Sequence, residues 1–282
     1  MCPRCGDRFP VVAGVPRLLA RDNPLFDRDQ VTSTASSARP AWLQQVSSWL
    51  PQPAYRSGPQ LWDLLPQHVD VAASRLLVVG LGDGGPGLVA VREAFAEVVA
   101  VDVVPAPGVD YVCDVHQLPF ANDSFDVVFI AAVLEHVLDP NLAVAEVTRV
   151  LRKGGVVAAE TPFMQQVHMG AHDFTRFTEL GHRWLFRCYR ELARGTAVGP
   201  ASGLAWSLIY VLVGATTSPR GAALAKGVGR LAFSAVAGLD RIVGQRRGSS
   251  DGACAVFFLG SNEKVPCITP RELVQSYRGA IR

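Results

Sequence analysis

The apolar residues of this chain fall into short unbroken runs separated by longer mixed segments. Arg75-Leu-Leu-Val-Val-Gly80 is the first such run, and Glu97-Val-Val-Ala-Val-Asp102 follows it. Phe125-Asp-Val-Val-Phe-Ile-Ala131 and Gly155-Val-Val-Ala-Ala-Glu160 are the third and fourth. Runs of this length without alternation predict strands buried on both faces. The segments between them are long enough for helices. Pro86 to Ala96 is one, and Asn141 to Arg152 is another, with Val144, Val147, Thr148 and Leu151 at helical spacing and Gly154-Gly155 as its stop. Strands alternating with helices predict an α/β fold, a doubly wound and mostly parallel sheet covered on both faces. Ala253 to Gly260 reads as a closing antiparallel strand.

The flanks differ from this centre. Residues 1–20 form a short Cys-containing head, and 21–73 a proline-rich extension holding Trp42, Trp49 and Trp62. The main domain spans 74–263, with a helical insertion at about 200–247 and a tail at 264–282. Gly195 to Pro219 carries no charged residue, but its apolar centre, Leu204 to Val213, is short of the roughly 20 residues that cross a bilayer. Ala222 to Val243 is also apolar, edged by Arg230, Arg241, Arg246 and Arg247. Peripheral contact with a membrane surface, a lid over a pocket and a buried hairpin are three readings of this pair.

Composition narrows the classes. With 282 residues, 49% hydrophobic and 18% charged, the chain has ample material for a core. A net charge of +2 is too balanced for a dedicated nucleic-acid binder. Six scattered cysteines and no signal-like N-terminus suggest a reduced, cytoplasmic protein.

The first strand runs into Gly80-Leu81-Gly82-Asp83-Gly84-Gly85-Pro86. Glycines there permit a tight turn and close approach of a ligand, and the next helix points its N–H groups at the same place. Asp102 ends the second strand, where a carboxylate can accept both hydroxyl hydrogens of a ribose. The glycine spacing fits both an S-adenosylmethionine loop and a dinucleotide loop. A bare tight turn is the plainest alternative.

Later residues separate these. Cys113-Asp114-Val-His-Gln-Leu-Pro-Phe120, then Asp123-Ser-Phe-Asp-Val-Val128, Val133-Leu-Glu-His-Val137 and Leu151-Arg-Lys-Gly-Gly155 resemble the class I S-adenosylmethionine-dependent methyltransferases, specifically the type 11 group. The resemblance covers about residues 75–163. It implies a Rossmann-like seven-stranded fold and S-adenosylmethionine as cofactor. Gly80, Gly82 and Gly84 would cradle the methionine end, Asp102 the ribose and Asp114 the adenine. Leu81, Val103, Val115 and Ala131 complete the implied cofactor-binding set. Val78 stands where the family usually carries an acid, and Asp83 could partly replace it. None of the tyrosines has a lysine four positions on, which counts against a short-chain reductase.

Two further segments resemble known pieces. His168-Met-Gly-Ala-His172-Asp173-Phe174-Thr-Arg176-Phe177 resembles the His-Asp-Phe-x-Arg-Phe stretch of methyltransferases found with polysaccharide and lipid-glycan enzymes. It implies a small-molecule, lipid or glycan acceptor. A hydroxyl nucleophile gains from a base, and His136 and His172 are the catalytic candidates, with Asp173 or Arg176 as orienting groups. Simple shaping of the pocket and a plain Asp173–Arg176 pair are the alternatives. Cys2-Pro-Arg-Cys5-Gly resembles half of a zinc ribbon, and two ligands do not make a structural zinc site. No metal is expected there or elsewhere, and a start codon further upstream would account for the missing pair. A nucleotide-sugar oxidoreductase or epimerase using NAD(P), and a catalytically silent methyltransferase-like binding protein, are the competing functions.

Overall fold

A computed structural model describes residues 6–28, 51–52, 54, 56, 58, 60–82 and 87–280. A seven-stranded sheet has the order β5-β4-β3-β6-β7-β9-β8. Its strands are β3 (Arg75–Val79), β4 (Glu97–Asp102), β5 (Tyr111–Val112), β6 (Phe125–Ala131), β7 (Leu151–Pro162), β8 (Arg190–Val198) and β9 (Ala255–Ser261). β3 pairs in parallel with β4 and β6, and β6 with β7, while β9 runs antiparallel between β7 and β8. Strand order reverses beside β3, so the crevice at the carboxyl ends of β3 and β6 is where such a sheet takes a ligand.

Alternate residues of the apolar runs serve opposite layers. Leu77, Val79, Val99, Val101, Val128 and Ile130 belong to one buried cluster, and Leu76, Val78, Val98, Ala100 and Val127 to the other. That two-sided burial is why the strands read as unbroken runs. Removing either layer is costly: truncating a fully buried leucine such as Leu77 costs about 2–5 kcal/mol.

The helices partly follow the sequence pattern. α2 (Gly87–Ala94) follows the glycine loop, and α3 (Pro140–Val150) is capped by the Asp139 carboxylate, which accepts from the Asn141 and Leu142 N–H groups. A single turn, α1 (Leu61–Leu64), precedes the sheet, and α4 (Glu179–Leu185) leads into β8. The expected helix through Arg152 ends at Val150. Leu151 instead pairs with Phe125, and Gly154 turns the chain with φ +78°. β8 was not foreseen; its charged positions hide the alternation, and Arg194 is buried against Glu179 and Glu191.

Three additions frame the domain. The hairpin β1 (Val11–Val12) and β2 (Val15–Pro16) leads to Leu18, whose N–H donates to the Val112 carbonyl at 2.7 Å, and to the fully buried Leu19. The 21–73 extension is fastened by the stack of Trp62 on Phe129 and by Arg56, which donates to both Glu160 oxygens at 2.8 Å.

The third addition, α5 (Pro200–Gly214) and α6 (Pro219–Ala237), is a helical hairpin. Buried Asp240 accepts from the Ala201 and Ser202 N–H groups at 2.9 Å, placing negative charge at the positive end of α5. Gly229 lies against Ile209, too close for a side chain at that position. Leu204, Val211, Leu224, Val228 and Leu231 remain exposed. The helical stretch Pro219–Val243 is long and apolar enough to cross a membrane by length and composition alone.

The expectation of reduced cysteines meets one exception. Cys188 and Cys267 form a disulfide, while Cys113 and Cys254 are buried free thiols. α8 (Pro270–Gln275), which follows the one-turn α7 (Asp240–Val243) in helix order, closes the chain with a Thr269–Glu272 capping box. Cys2 and Cys5 lie outside the described residues.

Candidate active site

β3 ends in a turn that only glycine accommodates. Gly80 has φ +75°, and a side-chain carbon there would lie 2.1 Å from the Val133 methyl carbon Cγ2. Gly82 follows with φ +60°, and its N–H donates to Asp102 Oδ2 at 2.9 Å. Asp102 Oδ1 accepts from the Val104 N–H at 3.0 Å. The loop and the carboxylate at the end of β4 are thus fixed to each other. Gly84 and Asp83 lie outside the described residues.

Leu81 and Val103 are half-buried beside this turn, and Ala131 ends β6 just before Ala132, whose φ is +53°. Val115 is buried in the apolar layer that also holds Val99 and Val101. Val78, the position lacking the family's acid, is buried in the opposite layer.

Asp114 is the second carboxylate of the site. Its Oδ1 accepts from the His116 N–H at 2.9 Å and lies 2.6 Å from His116 Nδ1. Its Oδ2 accepts from the Asn23 amide at 2.7 Å. Burial opposes ionisation of Asp114, but the bonds from His116 and Asn23 outweigh it and hold its carboxyl below the usual range. Asn23 comes from the N-terminal segment, and so does Phe26, which packs near Leu81 and stacks on the His172 ring. Neither residue carries a sequence signal for this role.

The loop after β7 closes the other side. The Phe174 and Thr175 N–H groups donate to the Glu135 carbonyl at 2.8 and 3.2 Å, so the His-rich loop is stapled to the turn after β6. Arg176 is bound in a fork by Asp173, and its Nε donates to the Gln165 carbonyl. This pair draws Asp173 well down, to about 2, against the effect of its burial. The Asp173 Oδ2 also accepts from the His168 N–H. A cavity of ≈ 500 Å³ lies beside it, lined by Gln165, Gln166, Asp173, Thr175, Arg176 and Tyr210.

The two catalytic candidates separate. The His172 ring faces Phe26, and only its carbonyl meets His136, whose Nδ1 lies 2.6 Å away. His136 instead points its Nε2 at His168 Nε2, 3.0 Å away, and at Glu135 Oε1, 3.5 Å away. Glu135 is fully buried, and burial pushes its carboxyl up to about 7 although Arg176 pulls the other way. Burial likewise lowers His136. Glu135 and His168 were visible in the sequence only as neighbours of named histidines.

Residues 77–159 match the family model described as a methyltransferase domain. Over 123 residues the chain is 31% identical to "Methyltransferase GfsG" of Streptomyces halstedii, covering 38% of this chain. The chain spans 44% of that relative's length. Among solved structures, the [4+2]-cyclase SpnF is 18% identical with a TM-score of 0.47, covering 73% of this chain and 80% of its own. A phosphoethanolamine N-methyltransferase of Haemonchus contortus is 16% identical with a TM-score of 0.48, covering 72% and 52%.

Proposed function

We propose that this chain, whose residues 77–159 match a methyltransferase-domain family model, is a class I methyltransferase that moves a methyl group from S-adenosylmethionine to a hydroxyl of a small-molecule, lipid or glycan acceptor. The observation that carries the cofactor reading is the Asp114 carboxylate, whose Oδ2 receives an amide NH₂ from Asn23. An adenine amine is a donor of the same kind. Gly80 and Gly82 leave the backbone open for the methionine end, and Asp102 stands at the end of β4 for the ribose hydroxyls.

The chemistry that the cofactor supplies is in-line displacement: the acceptor oxygen bonds to the methyl carbon, the carbon–sulfur bond breaks, sulfur keeps the pair as a neutral thioether and the hydroxyl proton leaves. What the chain adds is alignment and a route for that proton. Glu135, His136 and His168 converge at the acceptor side of the turn after β6, and the Asp173–Arg176 pair holds the loop that carries His168.

The exposed apolar residues of α5 and α6, with the arginines beside them, support peripheral contact with a membrane surface, and we place the reaction on its cytoplasmic, inner face as part of the same proposal. The nearly balanced charge supports an acceptor other than nucleic acid. Incubation with S-adenosylmethionine carrying a labelled methyl, against panels of hydroxylated small molecules, lipids and glycans, tests the reaction. Label in an acceptor supports it. Binding of the cofactor without transfer to any panel would favour a silent binding protein.

A further inference from the structure

We infer that Glu135, His136 and His168 bind a divalent transition-metal ion at the acceptor side of the pocket. Each residue offers one ligand atom, and these atoms all lie within 4.8 Å of one another.

Hydrogen-bond accounting leaves a place for a cation there. His136 Nδ1 lies 2.6 Å from the His172 carbonyl, an acceptor, so Nδ1 carries the proton and Nε2 presents a lone pair. His168 Nδ1 faces the Gln166 carbonyl at 3.4 Å and the Asp173 carboxylate at 3.5 Å, both acceptors, so its Nε2 also presents a lone pair. The two Nε2 atoms are 3.0 Å apart. Glu135 is fully buried, and among the described residues no side chain donates a hydrogen bond to its carboxylate, which has only its own backbone N–H nearby. Three groups able to donate an electron pair to a metal therefore meet at one point. Leaving the Glu135 carboxylate unpaired is costly, because this one buried acceptor loses water and gains little in return.

The spacing suits a first-row divalent ion. Zinc bonds to nitrogen and oxygen are about 2.0–2.2 Å, so neighbouring tetrahedral ligands sit about 3.4 Å apart. The three separations are 3.0 Å between the imidazoles, and 3.5 and 3.7 Å from Glu135 Oε1 to His136 and His168. Two imidazoles and a carboxylate select zinc, iron(II) or manganese over calcium. The outer contacts also match a metal site: both histidines point Nδ1 at a carbonyl, and Asp173 stands behind His168.

Three protein ligands leave a position open, and His168 borders solvent. An acceptor hydroxyl bound there would be acidified, and its proton released before it meets the methyl group. This role, unlike the ion binding itself, rests on the proposed methyl transfer.

The test uses the full chain, stripped by chelator and titrated with Zn²⁺ alone in competition with a chromophoric chelator. One tight site per chain is expected, weakened ten-fold or more by H168A and by H136A. The C2S/C5S double variant separates this site from the N-terminal cysteine pair and should retain the ion. His168 is partly exposed, so H168A should fold normally, and its apo melting curve checks this. Zinc that stays in H168A and leaves with C2S/C5S overturns the inference, as does the absence of a stoichiometric site. Binding of S-adenosylhomocysteine to the same samples keeps the two readings apart. A metal site without nucleoside binding would refute the methyltransferase reading alone, and the reverse would refute the metal site alone.

Discussion

The Asn23 amide donates to Asp114 Oδ2 at 2.7 Å across 91 residues of chain. Asp114 is buried, with its other oxygen engaged by His116. Asn23 thus stands at the carboxylate oxygen that the adenine amine is proposed to use. Replacing Asn23 by Ala frees that oxygen. A competing hydrogen bond is typically worth about 1 kcal/mol, so N23A should bind S-adenosylhomocysteine roughly five-fold more tightly. Weaker binding by calorimetry would show that Asn23 supports the site instead of competing for it.

Asp102, proposed to hold the ribose, is already oriented by the Gly82 and Val104 N–H groups. D102A should weaken S-adenosylhomocysteine binding by about 1.5–3 kcal/mol, the range for hydrogen bonds to a charged group. Because Asp102 also accepts from the loop, D102N is the informative companion. It keeps the shape and should still lose most of the affinity. Wild-type affinity in both variants would remove Asp102 from the cofactor site.

How much of this was legible follows from where each partner comes from. β3, β4 and β6 were readable because both faces are buried, and Asp102 was readable because it ends a strand. Leu151 kept helical spacing with Val144 and Val147, yet it begins β7, since spacing cannot see the pairing with Phe125. β8 mixes charges into its alternation because Arg194 finds buried acidic partners. The Asn23–Asp114 bond and the approach of His168 to His136 depend on chain closure over 91 and 32 residues. No local pattern carries either.

His182 makes stability sensitive to acid. It is buried with no partner for Nε2 among the described residues, and burial lowers it to about 3. The unfolded chain takes a proton on this histidine near pH 6.5 and the folded chain does not, so stability falls as pH drops below about 6.5. Between about pH 7.5 and 5 the loss from this group is about 2 kcal/mol. Above that window the group contributes no pH dependence. In H182L the slope of urea-unfolding free energy against pH should be smaller by this amount. Equal slopes in the two proteins would contradict it.

The helical hairpin gives a prediction about membranes. Exposed Leu224, Val228 and Leu231 share α6 with Arg220, Lys226 and Arg230. A basic residue near an anionic surface adds about 1 kcal/mol. The protein should float with vesicles containing anionic lipid, detach in high salt, and lose binding in L224D/L231D. Resistance to both salt and carbonate would mean that Pro219–Val243 spans the bilayer instead. No flotation under any condition would make the hairpin a lid or core element.

The central claim is that the crevice bounded by Gly80, Asp102 and Asp114 takes S-adenosylmethionine. Titration calorimetry of the full chain with S-adenosylhomocysteine, and separately with NAD and NADP, tests it most directly. The prediction is one saturable site per chain for S-adenosylhomocysteine, weakened in D102A, and no measurable binding of either dinucleotide. Saturable dinucleotide binding with none of S-adenosylhomocysteine would contradict the assignment and return the fold to the oxidoreductase reading.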